Sequence, residues 1–118
     1  MRDLSLERIF KALLSLGLSQ IEAKIYIYLS TKNPMKAKDI ICNLKINKQQ
    51  LYRNLKSLRN KKIVTSSQEF PATFNTVPLE KALKILIKTK FEQAQDIKEK
   101  KATLLSHWSS ITKENSVS

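Results

Sequence analysis

The stretch Pro34-Met-Lys36-Ala37-Lys38-Asp39-Ile40-Ile41-Cys42-Asn43-Leu44-Lys45-Ile46-Asn47-Lys48-Gln49-Gln50-Leu51-Tyr52-Arg53-Asn54-Leu55-Lys56-Ser57-Leu58-Arg59-Asn60-Lys61-Lys62 decides the reading of this 118-residue chain. Ala37, Ile40, Ile41 and Leu44 recur at helical spacing and predict a short helix over 36–43. Leu44 to Asn47 then forms a turn, with Ile46 as a plug between two helices. Asn47 can cap the next helix, and Gln50 three residues on completes a capping box, so a second helix is expected over 48–61. At 100° per residue Leu51, Leu55 and Leu58 share one side, with Tyr52 at its margin. Gln49, Arg53, Lys56, Ser57 and Asn60 fall opposite, with Gln50 beside them. Nine Lys and Arg stand here against Asp39 alone, so the stretch holds +8 of the chain's net +12. A polyanion suits such a patch, and a helix-turn-helix is a way to present it.

Outward from this stretch, the N-terminal side is helical. Leu4, Ile9, Leu13 and Leu14 predict an amphipathic helix over 3–16. Gly17, the one glycine, follows where a helix needs a left-handed C′ residue, and Leu18 can fold back onto the apolar side. Ser19 and Glu22 form a second capping box, opening a helix over 20–31 with Ile21, Ile25, Tyr28 and Leu29 inward. On the C-terminal side, 63–67 and 72–77 are rich in β-branched or aromatic residues with Gln68-Glu69-Phe70-Pro71 between them. A two-stranded hairpin is expected there. A hairpin directly after the second helix of a helix-turn-helix is a wing.

Pro78 suits the first turn of a long final helix, with Glu80 near its positive end. A heptad runs through Leu83, Lys90, Ile97, Leu104 and Ile111 at a, and Ile87, Ala94, Lys101 and Trp108 at d. A helix of about 33 residues spans roughly 50 Å, more than so small a domain can cover. Its apolar residues Leu83, Ile87, Ala94, Ile97, Leu104, Trp108 and Ile111 therefore predict a homodimer through this helix. The expected organisation is a winged-helix domain over 1–78, a coiled-coil-like dimerisation helix over 79–112 and a flexible tail over 113–118. The fold class is mainly α (α+β).

Composition removes other classes. A single cysteine, Cys42, allows no internal disulfide and no metal-ligand cluster, and among Ile40, Ile41 and Leu44 it reads as a small core residue. His107 stands alone, so no metal or cofactor is expected. The sequence holds no Gly-rich phosphate loop, no H-E-x-x-H and no Ser/His/Asp pattern, and an enzyme is not expected. No apolar run approaches the roughly 18 residues of a membrane span, and the N-terminus lacks the apolar core of a signal peptide. The expected setting is the cytoplasm. Lys81, Lys84, Lys88 and Lys90 could suit a membrane surface, but Glu80, Glu92, Asp96 and Glu99 dilute that reading.

The run Leu16-Gly17-Leu18-Ser19-Gln20-Ile21-Glu22-Ala23-Lys24-Ile25-Tyr26-Ile27-Tyr28-Leu29 resembles the opening of the archaeal TrmB-like transcriptional regulators. The run from Ile46 to Leu58 is similar to their recognition helix, and Pro71 to Pro78 to their wing. The resemblance covers roughly residues 13 to 90. It implies a winged-helix, usually dimeric, DNA-binding domain that represses or activates transcription. Long members continue into an effector-binding domain, often for sugars, which nothing in these 118 residues could encode. Where the family has a glycine before the first wing strand, this chain has Lys62. The wing tip carries Glu69 and no Arg or Lys, which speaks against insertion into the minor groove.

The partner expected is double-stranded DNA, with the helix over 48–61 in the major groove. A charged helix face is by default solvated surface; its position in the motif favours nucleic acid. Gln49, Gln50, Arg53 and Ser57 are assigned to base edges: Arg to guanine O6 and N7, Gln to adenine N6 and N7. Lys36, Lys38, Lys45, Lys48 and Lys56 are assigned to phosphates. The rivals are a protein-interaction winged helix of the transcription or replication machinery and a non-specific architectural DNA binder.

Overall fold

The computed structural model describes residues 4–116. They fall into two units, one through Ile87 and one from Lys88 onward. In the first unit, α1 (Leu4–Ser15) ends on a Schellman turn. The Leu18 amide donates to the Leu13 carbonyl, the Gly17 amide donates to the Leu14 carbonyl, and Gly17 stands at φ +104°. The turn folds Leu18 into the core. Ser19 then caps α2 (Gln20–Lys32) through the expected box: its hydroxyl accepts from the Glu22 amide, and the Glu22 carboxylate accepts from the Ser19 amide at 2.8 Å.

The inward face of α2 differs from the expected one by a small rotation. Ala23, Ile25, Tyr26 and Leu29 are buried, whereas Ile21 and Tyr28 are only half-buried. Tyr26 takes the inner place because its hydroxyl finds an acceptor there, the Val77 carbonyl. A tyrosine can be buried where its hydroxyl is satisfied. Burial pushes its phenol above the ordinary value.

Pro34 ends α2 and leads into a strand the sequence reading lacks. β1 (Met35–Lys36) pairs antiparallel with β3 (Thr73–Thr76), which pairs with β2 (Val64–Ser66), giving the order β1-β3-β2. Two residues carry too little periodicity to be read as a strand. Asn33 secures the junction: its side chain accepts from the Thr76 amide at 2.9 Å and donates to the Thr76 hydroxyl at 2.7 Å. Lys36 accordingly lies in β1, and the short helix α3 (Ala37–Leu44) begins one residue later than expected.

Only Ile40 of α3 is fully buried. Cys42, expected in the core, is exposed, because α3 turns the Ile40 side inward and Cys42 lies two residues away, about 200° around the helix. α4 (Lys48–Asn60) buries Leu51, Leu55 and Leu58, as its spacing predicts. With Leu13, Ile25, Tyr26, Leu29, Ile40, Ile63 and Phe74 they form the core, and Ala82 and Leu86 from the start of α5 (Leu79–Glu99) complete it.

The single long helix expected over 79–112 is interrupted. α5 stops at Glu99 and α6 (Lys101–Ser116) follows, with the Lys100 amide shared between the carbonyls of Asp96 and Ile97. The junction is slight: the Leu104 amide still donates to the Lys100 carbonyl at 2.9 Å, and the Lys100 ammonium pairs with Asp96. The segment expected as a flexible tail is helical through Ser116; Thr112 closes the turn before it with hydroxyl bonds to the carbonyls of Trp108 and Ser109. Residues 117 and 118 of that tail, and residue 3 of the expected first helix, lie outside the described residues.

Among the described residues of the second unit none is buried. Phe91, Ile97, Leu104, Leu105, Trp108 and Ile111 are exposed. Of the residues assigned to a dimer seam, Ile87 is exposed but Leu83 packs against its own core, because it shares a face with Leu86.

Candidate nucleic-acid interface

α4 is set in place at both ends and along one side. At its start the Asn47 side chain accepts from the Gln50 backbone amide at 2.7 Å, and the Gln50 side-chain oxygen Oε1 accepts from the Asn47 backbone amide at 3.3 Å. Along its buried side the three leucines fix its rotation. Near its end, Ser57 and Lys61 reach back to α2: the Ser57 hydroxyl and the Lys61 ammonium each stand 2.6 Å from the same Glu22 carboxylate oxygen. Glu22 is the buried charged residue of the core, 5% exposed. Burial alone pushes its carboxyl up, but Lys61, the Ser19 amide and the Ser57 hydroxyl together hold it below its ordinary value.

This network changes the place of two residues assigned to base edges. Ser57 is half-buried and its hydroxyl is spent on Glu22, so it serves the seating of α4 rather than its outer face. Gln50 uses its carbonyl oxygen in the capping box, and a bidentate adenine contact would compete with that bond. Gln49 and Arg53 are exposed on the outer face with Lys48 and Lys56. Periodicity found the outward side; it had no access to the partner 35 residues away that claims Ser57.

The remaining lysines surround this face. Lys36 on β1 and Lys38 on α3 are exposed and line one cleft with Lys48. Lys56 and Arg59 line another, between α4 and the wing strands. None of the ion pairs among the described residues engages Lys36, Lys38, Lys45, Lys48, Arg53 or Lys56. Among the described residues no carboxylate stands within ion-pair distance of them.

Two basic residues flank α4 in a conformation that side chains resist. Lys45, in the turn before it, has φ +54°, and Lys62, directly after it, has φ +68°. Lys45 closes α3 with its amide on the Ile41 carbonyl. Lys62 is the C′ residue of a second Schellman turn, with its amide on the Arg59 carbonyl and the Ile63 amide on the Leu58 carbonyl. Glycine is the usual residue at such positions, and lysine there stores strain beside the basic face. The sequence signal for Lys62 was the family's glycine; for Lys45 there was none.

Among the described residues no group of His, Cys, Asp and Glu is placed to hold a metal ion, and no helix is long and apolar enough to cross a membrane. The wing tip exposes Phe70 completely, next to Glu69.

Comparison with known proteins gives a consistent frame. The family model described as sugar-specific transcriptional regulator TrmB matches residues 13–80, more than half of the chain. No curated protein matches the chain. Among solved structures, the chain resembles a "possible transcriptional regulator from Methanosarcina mazei Go1" with a TM-score of 0.57 at 17% identity, over 87% of this chain and 88% of that one. MarR aligns with a TM-score of 0.52 at 14% identity, over 92% and 86% of the two chains. MepR, a transcription regulator of the Staphylococcus aureus multidrug efflux pump MepA, gives 0.52 at 14%, over 90% and 89%. These likenesses establish the mainly helical winged-helix fold with its three-stranded antiparallel sheet.

Proposed function

The chain belongs to the TrmB family of transcriptional regulators, and from that premise we propose that it binds double-stranded DNA sequence-specifically as a homodimer, with α4 in the major groove. One observation carries the reading: α4 buries Leu51, Leu55 and Leu58 while presenting Lys48, Gln49, Arg53 and Lys56 on a face that no ion pair among the described residues engages. Arg53 and Gln49 read base edges. Lys36, Lys38, Lys45, Lys48 and Lys56 hold phosphates, and Lys62 joins them at the end of the helix. The exposed apolar side chains Ile87, Ala94, Ile97, Leu104, Trp108 and Ile111 join two copies. A symmetric dimer implies a pseudo-palindromic operator with half-sites about one helical turn apart or a multiple of it. The protein works in the cytoplasm, as a regulator and not as an enzyme.

The test is fluorescence-anisotropy binding to a random duplex over a salt series, followed by selection of a preferred site. With 6–10 phosphate contacts, affinity should fall about 10³–10⁵-fold between 50 and 200 mM salt, and Arg53→Glu with Lys56→Glu should abolish binding. On the selected site, Arg53→Ala should cost about 1–3 kcal/mol and relax the preference, whereas Lys36→Ala should weaken selected and random duplexes equally. Equal losses on both duplexes for Arg53→Ala would reduce the protein to a non-specific binder. No binding at low salt would favour a protein-docking module.

A further inference from the structure

The wing ends in a ring that nothing covers. Phe70 is 100% exposed, whereas Leu4, the next most exposed large apolar side chain among the described residues of the first unit, is 63% exposed. The place of Phe70 is nonetheless held. β3 is paired on both sides, to β1 and to β2. At the end of the β2–β3 ladder the Ser67 amide donates to the Thr73 carbonyl at 2.8 Å, and the Thr73 amide donates to the Ser67 hydroxyl at 2.9 Å. These bonds close a tip of residues 68–72, with Phe70 at its middle and Pro71, also exposed, after it.

The tip is built for an apolar contact. Residues 63–77 contain no Lys or Arg, and Glu69 is their one charged side chain. Phosphates repel that carboxylate, so the tip gains nothing from the DNA backbone. The lack of Arg and Lys removes insertion into a groove drawn by charge and leaves insertion of the ring. Phe70 lies along the same cleft as Lys36, Lys38 and Lys48, on the side of the wing where α4 begins. These lysines are exposed, with Asp39 beside them in the first turn of α3; they mark the side of the domain that meets the duplex and make no closed site of their own.

The grooves of a duplex alternate, so an element beside a helix seated in the major groove meets the neighbouring minor groove. DNA-binding proteins wedge apolar side chains, phenylalanine among them, between base steps from that groove, which unstacks the step and kinks the duplex by about 20–90°. Pyrimidine–purine steps, TA and CA/TG, yield most readily. We propose that Phe70 is such a wedge: on the duplex bound by α4 it enters the flanking minor groove, kinks one base step and thereby selects a flexible step that no polar side chain reads. The wedge rests on the DNA reading above and adds to it a contact without charge.

The test uses the whole chain and a duplex selected by the wild type, labelled at both ends for energy transfer. Wild type should bring the ends closer, as a kink requires. Phe70→Ala should leave thermal unfolding and the salt slope unchanged, because the ring is fully exposed and holds no phosphate. It should weaken the selected duplex about tenfold or more, the scale of a lost ring–base contact, and abolish the bend. Phe70→Leu, still an apolar wedge, should restore most of both. Site selection repeated with Phe70→Ala should lose a flanking TA or CA/TG step and keep the bases assigned to α4. A straight duplex under the wild type, a bend that survives Phe70→Ala, the same flanking step selected by that variant, or a lowered unfolding temperature in it would each overturn the wedge and leave the DNA reading standing. No duplex binding by the wild type at low salt would refute the DNA reading, and the wedge with it.

Discussion

The two units of this chain solve the burial of apolar side chains in opposite ways. Residues 4–87 bury theirs within one chain, from Leu13 in α1 to Leu86 in α5, while among the described residues from Lys88 on none is buried. The difference teaches where each unit's specification lies. In the first, contacts between elements far apart in sequence fix every helix, and the Glu22 network shows a polar group recruited to the same end. In the second, helix formation is local, supported by exposed pairs such as Lys88–Glu92 and Asp96–Lys100, which contribute little. Its rings and aliphatic side chains find no cover among the described residues, which is the reason for proposing a second copy.

The largest effect that would test this contrast is a pair of truncations. Leu51→Ala, in the core, should destabilise the fold by about 2–5 kcal/mol in urea unfolding. Trp108→Ala, at a side chain 61% exposed, should change the unfolding of a dilute monomer by no more than about 0.5 kcal/mol. At micromolar concentration the same change should shift sizing chromatography from dimer toward monomer. A wild-type chain that stays monomeric would remove the dimer and the palindromic operator together.

Next in size is Glu22. Removing its carboxylate takes away the half of the capping box that accepts from the Ser19 amide, and leaves the Ser57 hydroxyl and the Lys61 ammonium without their shared acceptor. Glu22→Ala should cost about 2–3 kcal/mol. Its sign with pH follows from the lowered folded-state pKa. The contribution is fully present above the ordinary value near 4.5 and is lost as pH falls below it toward the folded value. The stability gap between wild type and Glu22→Ala should therefore narrow in acid. Because the network seats α4 on α2, the variant should also lose preference for its selected site by more than it loses affinity for random duplex. A parallel loss on both would confine Glu22 to stability.

The contrast also explains what could be read from the sequence. Capping boxes and the Gly17 turn are local, so Ser19, Glu22, Asn47 and Gln50 were legible from spacing alone. The leucine face of α4 was legible because one helix repeats its pattern three times. Features decided by distant partners were not. Tyr26 rather than Tyr28 is buried because Val77 offers a carbonyl. β1 exists because β3 offers an edge, and Ser57 turns to Glu22 across the core. Cys42 was misplaced because its neighbours are apolar, while only one side of α3 meets the core. In the second unit the helical character was legible and the interruption at Lys100 was not, since no glycine or proline marks it.

The smallest effect concerns one turn built twice. α1 and α4 both end in a Schellman motif with an apolar residue, Leu18 or Ile63, folded into the core behind it. The left-handed residue is Gly17 in one and Lys62 in the other. A left-handed backbone costs a side chain about 1–2 kcal/mol, while glycine gives back part of that through the freedom it restores to the unfolded chain. Lys62→Gly should thus stabilise the fold by about 0.5–1 kcal/mol, and Gly17→Ala should destabilise it by about 1 kcal/mol. Nothing lies within 4 Å of a Cβ at Gly17, so backbone strain alone decides that second value. If Lys62 holds a phosphate, its glycine variant should be the more stable protein and the weaker DNA binder, with a shallower salt dependence by about one contact. Stabilisation with unchanged DNA affinity would leave the lysine there without a function, and the strain without a reason.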